Sequence, residues 1–147
     1  LLAGRHDIIG VEVGVADGDN ARNIIIEWDI AALVGVEIDP LCEPVIRERL
    51  ACCRNFGLVT ADSSVAAQLF PDEAFDFAYI DDDHDGDGPL RSLSAWYPKV
   101  KAGGVLCGHD YPVCTDVERA VVEFFAEHRM VLGASEWDFW GVKPLGK

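Results

Sequence analysis

A chain of 147 residues, half of them hydrophobic, is long enough to bury roughly two-thirds of its unfolded surface around one core. We therefore expect a single domain over residues 1–147. A net charge of -14 argues against a nucleic-acid partner, because neutralising phosphates demands a basic face. No apolar run approaches the ~18 residues that span a bilayer, and Leu1-Leu2-Ala3 lacks the basic and long apolar regions of a signal peptide. The five cysteines, Cys42, Cys52, Cys53, Cys107 and Cys114, show neither C-x-x-C nor a Cys/His zinc spacing. Reduced, mostly buried thiols in a cytoplasmic protein are expected. The chain has no initiator Met and begins almost at its first strand, so we expect a trimmed chain whose N-terminal cover helices are absent.

In chain order, residues 8–13 read as a buried strand that runs into Glu12-Val13-Gly14-Val15-Ala16-Asp17-Gly18. Small residues at such a turn let backbone approach a ligand closely. The spacing E-x-G-x-x-x-G lacks the third glycine of a dinucleotide fingerprint and disfavours a phosphate site. A positively charged ligand with a ribose suits the acid and glycines better. A helix follows over 20–28, carrying Ile24, Ile25 and Trp28, and then a second strand over 31–36. Glu37 closes that strand about twenty residues after the turn, where a carboxylate can accept from both hydroxyls of a ribose. Asp39 is expected to cap the next helix, with Pro40 at its first position.

A third strand over 56–60 ends at Asp62-Ser63. Here two readings stay open: the pair meets an adenine edge, or Asp62 caps the short helix 63–69. The fourth strand, 75–80, ends at Asp81-Asp82-Asp83-His84, and a helix runs from about 89 to 97. No Lys or Arg occurs between Arg54 and Arg91; most acids in that interval are solvated loop residues, while a few are free to bind a cation. The fifth strand, 103–108, ends at His109-Asp110. Thr115-x-x-Glu118 is a capping-box signal, after which Val117, Ala120, Val121, Phe124 and Phe125 recur at helical spacing. Two short strands, 130–136 and 138–142, form a terminal hairpin.

This alternation gives an α/β fold, a doubly wound, Rossmann-like, seven-stranded and mostly parallel sheet with a C-terminal antiparallel hairpin. Ligands on such a sheet sit beyond the carboxyl ends of the strands, which is where the informative residues fall. The loops after strands four and five emerge side by side, so their carboxylates can converge on a hard cation. His84, three residues beyond Asp81, is placed to take a proton from a substrate hydroxyl.

The ordered set Val11-Glu12-Val13-Gly14 to Gly18, Val34-Gly35-Val36-Glu37-Ile38-Asp39-Pro40, Ala61-Asp62-Ser63, Tyr79-Ile80-Asp81-Asp82-Asp83-His84, Leu93 to Pro98, Lys101 to Leu106 and Gly108-His109-Asp110-Tyr111 resembles the class I S-adenosylmethionine-dependent methyltransferases. Within them it is most similar to small-molecule O-methyltransferases with I-D-G-D-H after strand four and G-[HD]-D-Y after strand five. The resemblance covers nearly the whole chain. It implies S-adenosyl-L-methionine as cofactor, with Glu12, Gly14 and Gly18 as the floor beneath its methionine part. Glu37 would hold the ribose, Asp62 with Ser63 would face the adenine, and Val15, Ala16, Ile38 and Asp81 would also line the cofactor.

It further implies Asp81, Asp110 and His109 as ligands of Mg²⁺ or another divalent cation, His84 as base beside Asp81, and a small-molecule acceptor such as a sugar or natural product. Asp82 replaces the family glycine, and Asp85-Gly86-Asp87-Gly88 replaces an aromatic residue common after the histidine. An NAD-dependent oxidoreductase, a catalytically silent cofactor-binding domain and, more faintly, a metal-dependent hydrolase are the competing readings. Neither nucleic acid nor membrane is an expected partner; a second subunit would usefully cover the sheet end.

Overall fold

The computed structural model describes residue 2 and residues 4–146. Strands and helices alternate as β1 (Ile8–Val13), α1 (Asp19–Glu27), β2 (Ile30–Glu37), α2 (Glu43–Arg49), β3 (Phe56–Thr60), α3 (Ser63–Ala67), β4 (Phe75–Ile80) and α4 (Gly88–Trp96). A 3₁₀ turn (Tyr97–Lys99), β5 (Val100–Gly108), α5 (Thr115–Glu127), β6 (Gly133–Ser135) and β7 (Asp138–Val142) complete the order. All seven strands join one sheet in the order β3-β2-β1-β4-β5-β7-β6. The first five are parallel, and β7 runs antiparallel to β5 and β6. Successive crossovers leave β1 in opposite directions, so the switch point of the sheet lies between β1 and β4, where a crevice opens at their carboxyl ends. The expected fold class is the observed one.

Burial on both faces explains why the parallel strands are continuous apolar runs. On one face α3, α4 and α5 pack over Val11, Val13, Ala78 and Leu106; α5 buries Val117, Ala120, Val121, Phe124 and Phe125, its anticipated stripe. Trp96 is fully buried beside Phe75, their rings 6.1 Å apart. On the other face α1, through Ala21, and α2, through Ile46 and the following Leu50, cover Ile8 and Leu33. There, among the described residues, no helix lies over β4, β5 and β7, where Phe77, Tyr79, Val105, Cys107 and Trp140 line a cleft of about 610 Å³. All five cysteines are free thiols, but Cys52 is exposed and the other four are half-buried, not the mostly buried set expected. No helix among the described residues is long and apolar enough to cross a membrane.

Several boundaries differ from the expectation for local reasons. Asp39 caps a turn, not a helix: its Oδ1 accepts from the Leu41 amide at 2.9 Å, and the Pro40 carbonyl accepts from Glu43 N. A second proline, Pro44, occupies the first turn of α2. In a helix begun at Pro40 it would have withheld the amide owed to the Pro40 carbonyl. Nor does the Thr115–Glu118 capping box form, because Thr115 is already helical and Cys114 is the cap residue. The final hairpin is shorter than read. Arg129 turns out of α5 with φ 53, and buried Met130 fills the core instead of pairing in a strand.

Candidate functional site

Beyond the ends of β1 to β4 lies a cleft of about 600 Å³, with Gly14, Ala16, Glu37, Asp62, Asp81 and His84 in its wall. Gly14 is where two loops meet. Its φ is 89°, and its amide donates to the Val36 carbonyl at 2.9 Å. A Cβ there would stand 2.0 Å from the Asp81 carbonyl oxygen. Left-handed backbone and this close approach both require glycine. Opposite, buried Glu37 braces the turn: Oε2 accepts from the amides of Val15 at 3.1 Å and Ala16 at 2.8 Å, and Oε1 from that of Asp39 at 2.9 Å. Exposed Ile38 forms an apolar rim.

Asp62 is a helix cap that also faces the cleft. It caps α3, accepting from Val65 N at 3.1 Å, and it lines the cleft. Ser63, also in the wall, accepts from the Trp96 indole at 3.0 Å and lies 3.3 Å from Ser92 Oγ. Ser92 in turn donates to Asp82 Oδ2 at 2.6 Å. Asp82, where the resemblance leads one to expect glycine, does not have a positive φ, so no left-handed strain arises there.

Glu12, Val15 and Gly18 stand behind the cleft wall rather than in it. Gly18 caps α1 with φ 86, and Val15 belongs to the core. Glu12 is 1% exposed; Oε1 accepts from Asn20 Nδ2 at 2.8 Å, while Oε2 is buried without a partner among the described residues. Burial pushes its pKa up to about 8, with the charges of Asp81 and Asp17 adding to the rise and Asn20 opposing it. A carboxyl in such a place keeps its proton near neutrality.

At the ends of β4 and β5 the wall changes character. His84 Nε2 lies 2.7 Å from Asp110 Oδ2 and 3.3 Å from Asp81 Oδ1. Donor atoms of these three residues fall within 4.8 Å of one another. Burial raises the Asp81 pKa, with Asp110 reinforcing it and the His84 hydrogen bond opposing it. His109, expected among the metal ligands, is outside this cluster. Its Nδ1 is 3.2 Å from the other oxygen of Asp110, and its ring faces Trp137.

Sequence reasoning missed how this loop is held. The first turn of α5 grips it: Cys114 donates its amide to the Asp110 carbonyl at 2.9 Å and its thiol to the His84 carbonyl at 3.1 Å. Asp116 Oδ2 accepts from Gly86 N at 2.8 Å, and Arg119 donates to the Gly86 carbonyl at 2.8 Å. Nothing in the spacing of 84, 114, 116 and 119 signals this, since the contact depends on α4 and α5 lying side by side. Among the described residues, Arg91, at 3.1 Å from Asp83, is the only Lys or Arg in a wall otherwise rich in carboxylates. A cationic ligand is favoured there over an anionic one.

A family described as a methyltransferase domain matches residues 11–111. No curated protein matches the sequence. Among solved structures, the chain is similar to one described as a sarcosine dimethylglycine methyltransferase from Galdieria sulphuraria (16% identity, TM-score 0.62, covering 71% of this chain and 40% of that one). A second is described as a caffeoyl-CoA O-methyltransferase from Staphylococcus aureus (11%, 0.77, covering 92% and 76%). A third is a SAM-dependent methyltransferase from Aquifex aeolicus (14%, 0.72, covering 93% and 81%). The matched part of this chain thus covers less than half of the first structure. At such identities the likeness is one of fold.

Proposed function

The chain belongs to the family of methyltransferase domains, and from that premise we propose that it moves the methyl group of S-adenosylmethionine to a hydroxyl of a small molecule. One observation carries the reading: a backbone-built, acid-rimmed cleft adjoins an imidazole held between two carboxylates. The cofactor, when bound, supplies an electrophilic methyl on a positively charged sulfur. Gly14, Ala16 and Glu37 would hold its ribose and methionine side, Ile38, Asp62 and Ser63 its adenine, and Asp81 would face the charge. Glu12 serves that floor from behind, through the β1 turn.

No covalent intermediate with the protein is needed for an in-line displacement, so alignment and exclusion of water are the protein's tasks. His84 Nε2–H donates to Asp81 Oδ1 and stands beside Asp110 Oδ2, which leaves Nδ1 as the lone pair that takes the hydroxyl proton. Asp110 and Asp81, at 2.7 and 3.3 Å, then stabilise the imidazolium.

A divalent cation is the second reading, favoured by the same cluster. Two carboxylates and an imidazole fit a borderline divalent ion; Asp81 and Asp110 would hold it, completed by His84 or, after a ring rotation, by His109. It would lower the hydroxyl pKa. With His84 as ligand it would no longer serve as a base; with His109 as ligand His84 would keep that role.

The test is calorimetry with S-adenosylhomocysteine, followed by radiolabelled methyl transfer to a panel of hydroxyl acceptors with and without chelator. His84→Ala is expected to keep cofactor affinity within about twofold and to lower kcat about 10²–10³-fold. Heat with NAD and none with S-adenosylhomocysteine would overturn the proposal, as would full activity in His84→Ala.

A further inference from the structure

The β6–β7 hairpin turns on two residues, Glu136 and Trp137, between the paired Ser135 and Asp138, with Glu136 at φ 53. Such tips are dominated by Gly, Asn and Asp, for which left-handed backbone is cheap. Glu136 takes that left-handed place, so the turn sets no demand on the residue beside it. Trp137 is 52% exposed, whereas Trp96 is wholly buried.

Its location supplies the function. Phe139 pairs with Gly108, so the hairpin tip stands beside the carboxyl end of β5, where His109 and Asp110 begin. The Tyr111 amide donates to the Trp137 carbonyl at 3.0 Å and fixes the tip to that loop. The indole lies 5.9 Å from the His109 ring at 30°. His109 Nδ1 is 3.2 Å from Asp110 Oδ1, and Asp110 Oδ2 is 2.7 Å from His84. A π surface therefore leads, residue by residue, to the imidazole expected to take the proton.

We propose that Trp137 is the acceptor platform: a hydroxylated aromatic ring stacks on its indole, edged by His109, with the hydroxyl turned toward His84. The inference rests on the methyl-transfer reading and deepens it by naming the acceptor class. Offset stacking of two π planes favours an aromatic ring, and the carboxylates around it disfavour an anionic one.

The experiment uses the full chain saturated with S-adenosylhomocysteine and titrates 2,3-dihydroxynaphthalene, with methyl glucoside in parallel, into wild type, Trp137→Phe and Trp137→Ala by calorimetry. KM and kcat for the naphthalene diol are measured with S-adenosylmethionine. Kd and KM for the diol should rise about tenfold in Trp137→Ala and no more than about twofold in Trp137→Phe. Affinity for S-adenosylhomocysteine should not move. Equal diol binding by wild type and Trp137→Ala, no diol binding at all, or Trp137-dependent binding of the glucoside instead would overturn the inference. Should Trp137-dependent diol binding occur without methyl transfer, the platform stands and the reaction falls. Methyl transfer to the diol with unchanged KM in Trp137→Ala would leave the reaction standing and remove the platform.

Discussion

At the tips of β1, β2 and β3 the cleft is made largely of backbone: the Gly14 turn, the amides of Val15 and Ala16 on Glu37, and the α3 terminus capped by Asp62. At the tips of β4 and β5 it is made of side chains, with His84 between Asp81 and Asp110 in one cluster and α5 gripping the loop from outside. At the first end Gly14 has no room for a side chain. The second depends on where three titratable groups point. Steric substitutions should therefore damage binding at one end, and charge substitutions should damage turnover at the other.

Gly14→Ala is the sharpest way to break the backbone end, because that residue also touches the β4 loop. The new methyl group would meet the Asp81 carbonyl at 2.0 Å, in a backbone of φ 89 that alanine disfavours. Left-handed strain costs about 1–2 kcal/mol, and separating the two loops adds to it, for a total of about 4 kcal/mol. Urea unfolding is expected to show this loss together with abolished heat from S-adenosylhomocysteine. A variant of near wild-type stability and affinity would show that the two loops need not touch.

Beneath that turn, Glu12 tests whether buried charge matters at the backbone end as well. Its pKa is raised from 4.5 to about 8, so the native state keeps a proton that the unfolded chain gives up. Stability must then fall as pH rises from about 4.5 through 8 and level off above, since the native state binds more protons across that window. Glu12→Gln keeps an acceptor for Asn20 and removes the ionisation. Unfolding measured from pH 5 to 8.5 should find the variant equal to wild type at the acid end and more stable at the alkaline end, by on the order of 3 kcal/mol. Parallel curves would mean that Glu12 is ionised and paired after all.

The same contrast governs what was legible in the sequence. Gly14 and Glu37 could be read because strand–turn–helix geometry places a glycine and, about twenty residues on, an acid at adjacent strand tips. The buried stripe of α5 could be read from periodicity alone. Trp137, Cys114 and Ser92 could not, since each acts on a loop far away in sequence through packing that only the sheet order creates. His109 and His84 were distinguishable only in space: both sit beside an aspartate in the chain, yet His84 enters the carboxylate cluster and His109 turns toward an indole. Asp39 failed for a local reason, a competing proline in the first turn of α2.

Asp62 gives the smallest effect and the finest discrimination, because its capping and cleft-facing roles coexist. Oδ1 accepts from Val65 N at 3.1 Å, which leaves Oδ2 to meet a ligand amine. Asp62→Ala removes both functions and should cost about 1 kcal/mol of stability, the usual value of a helix cap. Asp62→Asn keeps a capping oxygen and loses the charge, so its stability should match wild type within a few tenths of a kcal/mol. If the free oxygen meets the adenine, both variants bind S-adenosylhomocysteine several-fold more weakly by calorimetry, although only one of them is less stable. If affinity instead follows stability, falling in Asp62→Ala alone, the residue belongs to the scaffold, and recognition at this end of the cleft is carried by the backbone.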